Sequence, residues 1–450
     1  MQIKLPESVQ LIIRKITDSG YEAYAVGGCV RDSLRGCSPN DWDICTSALP
    51  ENIEDIFSGF HIIETGLQHG TVTIMIDHVG YEITTYRIEG KYSDRRKPDH
   101  VSFVTDLRED VKRRDFTINS MAYNDIDGLK DYFGGEGDLK KGIIRCVGNA
   151  DERFNEDALR ILRAMRFASS FDFKIEDDTS MAMHKNKELL NFISKERISA
   201  ELLKLICGKG AARILDEFRD ILAIVIPELE PEFGFEQNNP YHDSDVWQHT
   251  LRTVDNIRND EILRLSMLFH DCGKPHCYTE DQNGGHFYGH AKISAELAEN
   301  ALKRLKMSND IIKSVKTLVL YHDVLPVLKR KGLLRLLNKI GMDNVELLFE
   351  IVRADAKGHA EQACKNTLKL LESVNTELAK IQEENKCFQI SDLNISGKDI
   401  IALGINPGKQ IGEILKKLMN MVMDDEISND HEILIKKAAE CIQYDHPAAQ

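Results

Sequence analysis

The sequence predicts an α+β protein, with a mixed-sheet domain at the N-terminal end and helical domains after it. Three observations carry this expectation. The runs GTVTIMI (70–76) and YEITTYRI (81–88) alternate apolar and polar residues, as strands with one buried face do. From about Asp151 onward apolar residues recur instead at helical spacing. With 450 residues, the chain is too long for one ordinary core and calls for several domains.

Taken in chain order, the first element is an amphipathic helix, with Val9, Leu11, Ile12 and Ile16 on one face and Gly20 at its end. It lacks the apolar core of a signal peptide, and no run of eighteen apolar residues follows, so a cytoplasmic protein without membrane spans is expected. YAVGG (24–28) reads as a short strand entering a glycine turn. The stretch from Ile88 to Arg114, with KYSDRRKPDH inside it, is charged and poor in apolar residues and reads as a mobile loop beside the sheet. In ALRILRAMRFASSF (158–171), Arg160, Arg163 and Arg166 recur every three positions, giving a helix with a basic face. PELEPEFGFEQNNPYHDSD (227–245) is the clearest boundary, and the tail after Asn366 is helical apart from GINPGKQIG (404–412).

The ten cysteines form no CxxC pair and read as reduced thiols without disulfides or zinc. A net charge of -15 opposes a generally polyanion-binding surface, so any nucleic-acid contact must use a local basic patch.

Three segments carry chemistry. In VGGCVRDSLRGCSPNDWDICT (26–46), Asp41 and Asp43 are spaced to share one face of a strand, which suits a metal cluster for phosphoryl transfer. Gly27 and Gly28 let backbone approach a triphosphate, and Arg31 can neutralise it. Glu82, on a later strand, is a candidate third metal-facing carboxylate. In KRRDFTINSMAY (112–123), Arg114 is a phosphate candidate, while Asp115 and Asn119 either hold sugar hydroxyls or brace the loop. In NEDALRILRAMRF (155–167), Asp157 and Arg160 fall at i and i+3 of a helix. A carboxylate that accepts from an exocyclic amine and a guanidinium that donates beside it match the Watson–Crick edge of cytosine and, after a small shift, of adenine. The competing reading is a surface salt bridge.

GGCVRDSLRG, DWDICT, RRDFTINSMAY and EDALRILRAMRFA, in that order, resemble the bacterial class II tRNA nucleotidyltransferase and poly(A) polymerase family, and GINPGKQIGEILKKL resembles the tRNA-binding tail of its CCA-adding members. The resemblance implies a five-stranded nucleotidyltransferase head (1–150), a helical neck (151–230), a helical body from 231 and a tail (366–450). It implies Asp41 and Asp43 as Mg²⁺ ligands and Gly28, Arg31 and Arg114 as nucleotide contacts. Asp157 and Arg160 become base readers, with Arg163 and Arg166 near the phosphates. The implied reaction adds C, C and A to tRNA from CTP and ATP without a nucleic-acid template and releases pyrophosphate. The loop around KYSDRRKPDHVSF favours full CCA or terminal A addition, and the weakly basic tail places poly(A) synthesis second.

Between 231 and 365 the chain reads VWQHTLRTV, LFHDCGKP, FYGHAKIS and LYHDV. Four separated histidines, His249, His270, His290 and His322, with Asp271 beside one of them, resemble the HD phosphohydrolase superfamily. Asp355 is a candidate final carboxylate. Imidazole and carboxylate together bind divalent ions, so a second metal site is expected here. It would serve either a retained spacer or a hydrolase acting on phosphorylated or 2′,3′-cyclic RNA ends. His359 and His446 fall outside the pattern. The sequence leaves the oligomeric state open.

Overall fold

The computed structural model describes residues 3–66, 70–90, 100–282, 284–324, 329–384 and 388–445. They form two compact units: Met1–Glu230 with Arg304–Met307, and Pro231–Lys303 with Ser308–Gln450. No helix among the described residues is long and apolar enough to cross a membrane.

The first unit is built on a mixed sheet of seven strands, ordered β3-β4-β5-β2-β1-β8-β9. They are β1 (Ala23–Val26), β2 (Ile44–Thr46), β3 (His61–Gly66), β4 (Thr71–Ile76), β5 (Val79–Thr85), β8 (Met121–Asn124) and β9 (Gly128–Asp131). β2 and β5 run parallel and the other neighbours antiparallel. The resemblance implied five strands. β3 and β9 lie at the two edges, where ladder hydrogen bonds hold a strand with little demand on its side chains. α1 (Glu7–Asp18) buries Val9, Ile12, Ile13 and Ile16 and packs against β1, all four residues of which are buried. Gly20, at φ +89°, takes the left-handed turn that follows α1.

Among the described residues of the expected loop from Ile88 to Arg114, parts form regular elements. β6 (Arg87–Glu89) pairs with β7 (Val101–Phe103), and α4 (Leu107–Lys112) follows, capped by Asp106, which accepts from Arg108 N at 2.8 Å. Asp110 is one anchor. Buried on α4, it accepts from Arg87 N at 3.2 Å and from Arg113 Nη2 at 2.8 Å, which ties ribbon and helix together while Leu107 and Val111 of the same helix bury against Tyr86 and the sheet. Residues 91–99, the most charged part of that stretch, lie outside the described residues.

Between β1 and β2 comes α2 (Gly28–Leu34), and α3 (Pro50–Ile56) precedes β3. After β9 the unit is helical: α5 (Gly135–Lys141), α6 (Ala150–Glu156), α7 (Leu159–Phe171), α8 (Asp177–Asn186), α9 (Lys195–Ile206), α10 (Ala211–Glu217) and α11 (Arg219–Val225). One short parallel pair, β10 (Ile143–Ile144) with β11 (Lys174–Ile175), interrupts them. α7 and α9 pack along each other.

The second unit is helical apart from one hairpin, β12 (Thr279–Asp281) with β13 (Gly284–His286). Its helices begin with α12 (Val246–Asn256), α13 (Glu261–Phe269), α14 (His290–Arg304) and α15 (Asn309–Tyr321), and continue with α16 (Arg330–Ile340), α17 (Met342–Gly358) and α18 (Glu361–Glu383). α19 (Gly397–Ala402), α20 (Lys409–Met423) and α21 (His431–Asp445) complete it. Asp245 and Asp260 cap α12 and α13, accepting from Gln248 N and Leu263 N at 2.7 and 3.1 Å. α12 packs on α17 and α13 on α15, which brings histidines from separate helices together.

Candidate functional site

A cleft of about 550 Å³ in the first unit is lined by Gly27, Gly28, Arg31, Asp41, Asp43 and Arg114, and on its helical side by Asp157, Arg160, Arg163 and Arg166. Of the residues the sequence singles out in this part of the chain, only Glu82 is not on its wall.

Asp41 and Asp43 are not strand residues, as expected, but occupy the segment just before β2. Pro39, which has no N–H to give to a ladder, and the bend at Asn40 delay the strand. The backbone nevertheless runs beside β1, since Val26 N donates to Asp43 O at 3.0 Å. In the parallel β2–β5 ladder Ile44 faces Ile83, so Asp43 and Glu82 precede paired residues on neighbouring strands. Crowding by protein atoms raises the pKa of Asp43; Arg114 pulls it down, but Asp41 and Glu82 push it up again, and the net shift is upward. Asp41 and Glu82 both act on Asp43 as like charges, a repulsion that a divalent cation beside Asp43 would relieve.

Gly27 has φ +84°, and a Cβ placed on it would lie 2.8 Å from Arg114 Nη1. Arg114 therefore rests on the glycine turn. Its nearest acid is Asp110, at 3.7 Å, and its buried Nε has no hydrogen-bond partner among the described residues. It is the cleft arginine with donors to spare for a phosphate. Arg31 is different: it donates to both oxygens of Asp32, at 2.9 and 2.7 Å, and to Asn119 Oδ1 at 2.6 Å, and it lies over the Phe171 ring at 4.9 Å.

Asp115 and Asn119 brace the cleft from inside. Asn119 Nδ2 donates to Asp115 Oδ1 at 3.0 Å, and Arg163 donates to Asp115 Oδ2 through Nε and Nη2 at 2.9 and 2.7 Å. Burial alone would raise the Asp115 carboxyl. The Arg163 charge and the Asn119 and Arg163 hydrogen bonds overcome it and hold the pKa at about 2.

Asp157 was expected within a helix with Arg160. It sits instead at the break between α6 and α7, with φ -144° and ψ 101°. The carboxylate causes the break: its Oδ1 accepts from Leu159 N at 3.1 Å, offering the backbone an alternative to continuing the helix. Arg160, on the first turn of α7, is buried and donates to Glu156 Oε2 at 2.6 Å and to Arg113 O at 3.3 Å. Arg163 and Arg166 are drawn together by Glu201 of α9, at 3.5 and 2.6 Å. The expected basic helix face is thus a row of arginines, each paired with an acid. Sequence reasoning missed Glu156, Arg197 and Glu201. The last two stand four apart on α9, an opposite-charge pair among apolar residues in KERISAELL, and that is the signal that could have found them.

The second unit holds a second cluster. His249, His270 and Asp355 bring ligand atoms within 4.8 Å of one another, and so do Asp271, His290 and His322. Asp271 faces both sets, with Oδ2 at 3.2 Å from His270 Nε2 and Oδ1 at 3.4 Å from His290 Nε2. His270, His290 and His322 each place Nδ1 on the carbonyl three residues back, at 2.7, 2.9 and 2.7 Å. Donating there turns every Nε2 lone pair toward the cluster, an orientation typical of metal-ligating histidines. Burial would lower the pKa of His270, but Asp271 and Asp355 raise it to about 10, so the cluster favours positive charge at that point. Three partners were not anticipated. His242 and His359 bring ring nitrogens within 4.8 Å of one on His249, and buried Lys274 forms an ion pair with Asp271 Oδ2 at 2.7 Å. His242 lies in a loop and His359 just beyond α17, and neither falls in the segments that resemble the HD superfamily.

Comparison with known proteins gives a consistent picture. Residues 23–145 match the poly A polymerase head domain, and residues 278–438 match tRNA nucleotidyltransferase domain 2. The CCA-adding enzyme of Ligilactobacillus salivarius is 36% identical over 441 residues, 96% of each chain. That of Lactococcus lactis subsp. cremoris (strain MG1363) is 35% identical over 98% of each chain. Among solved structures, the Bacillus stearothermophilus CCA-adding enzyme in complex with CTP superposes with a TM-score of 0.70 at 28% identity, covering 98% of this chain and 99% of its own.

Proposed function

The chain belongs to the CCA-adding enzyme family, and we propose that the cleft of its first unit performs that family's reaction with the residues described above. It adds C, C and A to tRNA 3′ ends from CTP and ATP, with no nucleic-acid template. The oxygen of the terminal tRNA hydroxyl attacks the α-phosphorus. A new phosphodiester forms, the bond to the β-phosphate oxygen breaks, and pyrophosphate leaves.

The observation that carries this reading is one cleft containing both a carboxylate cluster and a carboxylate–guanidinium pair able to read a base. Asp41 and Asp43, with Glu82 beside them, would hold Mg²⁺. When bound, the metal activates the attacking hydroxyl and stabilises the leaving oxygens. Gly27 and Gly28 admit the triphosphate close to backbone. Arg114 meets its phosphates with its spare donors, while Arg31, Arg163 and Arg166, held in place by Asp32, Asp115 and Glu201, line the cleft beside them. Asp157 accepts from the exocyclic amine that cytosine and adenine share, and Arg160 donates to the neighbouring ring nitrogen or carbonyl. Side chains then take the place of a template. The test is Arg160→Ala, assayed with all four triphosphates. Base choice relaxes more than phosphoryl transfer slows; an unchanged preference contradicts base reading.

A specific observation favours a second activity. The Asp271 carboxylate faces two separate histidine sets, His270 with His249 and Asp355 on one side and His290 with His322 on the other, which together would hold divalent metal. We propose that His249, His270, Asp271, His290, His322 and Asp355 form a metal centre of the HD phosphohydrolase type. The metal, when bound, supplies a hydroxide for phosphoester hydrolysis. Release of phosphate from a generic phosphomonoester by the metal-loaded protein, lost in Asp271→Asn, tests it; equal release by both proteins contradicts it.

A further inference from the structure

We infer that Arg197, on α9, is a positioning residue for nucleotide choice: by clamping the carboxylate of Asp157 it sets discrimination between bases with an amine and bases with a carbonyl at the edge being read. The inference rests on the base-reading role of Asp157 proposed above and concerns a residue outside the motifs that point to that role.

Asp157 lies in extended backbone between α6 and α7, so no helix fixes the direction of its side chain. Arg197 does. Its Nη2 donates to Asp157 Oδ2 at 2.6 Å and its Nη1 to Oδ1 at 3.3 Å, a two-point contact that fixes the plane of the carboxylate as well as its place. Oδ1 also accepts from Leu159 N, so both of its lone pairs are engaged. Oδ2 keeps one lone pair beyond its bond to Arg197. A single acceptor position is therefore left for a ligand in the cleft, which both residues line.

One fixed acceptor reads one feature. The N4 amine of cytosine and the N6 amine of adenine donate to it, whereas O4 of uracil and O6 of guanine bring a second acceptor against it. A carboxylate free to rotate could turn either oxygen, or neither, toward the base, and the penalty for a carbonyl would fall. A lysine would hold one oxygen and leave that rotation open, because its ammonium is a single point of attachment rather than a planar fork.

The clamp is part of a larger arrangement. Four residues on from Arg197, Glu201 takes Arg166 at 2.6 Å and Arg163 at 3.5 Å, so one face of α9 holds opposite charges for both the base-reading and the phosphate ends of the cleft. α9 itself lies packed along α7. The side chains of Arg197 and Asp157 are 24% and 15% exposed, so water competes only weakly for the contact.

The test uses the full chain with Arg197→Gln and Arg197→Lys, a tRNA lacking its 3′ terminus, and CTP or UTP. The ratio of kcat/KM for UTP to that for CTP rises about tenfold in Arg197→Gln, chiefly through KM, and by less in Arg197→Lys, which keeps the charge but not the fork. Lys also preserves the ion pair and so keeps the experiment readable if the Gln variant fails to fold. A role confined to stability lowers both nucleotides together and leaves the ratio at the wild-type value, which overturns the inference. Asp157→Asn run alongside separates the two levels. If its ratio is also unchanged, base reading by Asp157 fails; if it shifts while both Arg197 variants match wild type, only the positioning role fails.

Discussion

Arg114 lies against the bare α-carbon of Gly27, so close that a Cβ there would stand 2.8 Å from its Nη1. The glycine turn and the arginine proposed to meet the triphosphate are thus one unit, and each constrains the other.

Gly27→Ala is accordingly expected to damage nucleotide binding. The new methyl group displaces Arg114, and a backbone at φ +84° suits no residue with a Cβ, at a cost of about 1–2 kcal/mol. KM for CTP and for ATP rises about tenfold or more, while tRNA affinity is preserved. Steady-state kinetics against each triphosphate checks it, and an unchanged KM refutes the contact.

Asp43→Ala abolishes incorporation of both CTP and ATP, since its carboxylate is the one crowded by Asp41 and Glu82. Binding of tRNA, measured by gel shift or anisotropy, stays near wild type. Glu82→Gln is expected to be milder, because Glu82 is exposed and outside the cleft wall. Loss of activity equal to that of Asp43→Ala would place Glu82 among the essential ligands.

The Asp115–Arg163 pair makes stability depend on acid. Asp115 has an ordinary carboxyl pKa of 3.8 and one of about 2 in the fold, so it releases its proton more readily when folded. The pair's contribution, on the order of 2 kcal/mol, is fully present above about pH 4 and is lost as pH falls through about 2. Asp115→Asn should therefore melt below wild type by a constant margin from pH 7 to 5, and the margin should shrink below pH 4. A margin that stays constant to pH 3 contradicts the assignment.

In the second unit, His270→Ala and Asp271→Ala should reduce the divalent metal retained after dialysis, read by elemental analysis, and leave CCA addition intact. Metal retention equal to wild type removes the proposed centre. Loss of nucleotide addition in a folded variant shows that the two chemistries are coupled.

Much of this was legible in the residues. The DxD spacing and the Arg114 segment are local and lead to side chains that line one cleft, while the HD pattern, spread from His249 to Asp355, leads to side chains that separate helices bring together. What was not legible depends on tertiary partners. Asp157 reads as helical because its neighbours have good helix propensity, and only its bond to Leu159 N and the pull of Arg197, forty residues on, take it out of the helix. The ribbon and helix between Ile88 and Arg114 read as loop because few apolar residues mark them: two buried side chains, Leu107 and Val111, and the buried Asp110 hold them in place. His242 and His359 escape the sequence reading because neither falls in the segments that carry the HD pattern, and only the fold brings them beside His249.

The most direct test of the central claim is incubation of full-length protein with tRNA lacking its 3′ terminus, supplied with CTP, ATP or both, followed by sequencing of the extended ends. CC from CTP alone and CCA from the two together are the predicted products. Addition of A only to ends that already carry CC, with no C incorporated from CTP, or a long tract of A, would contradict the assignment.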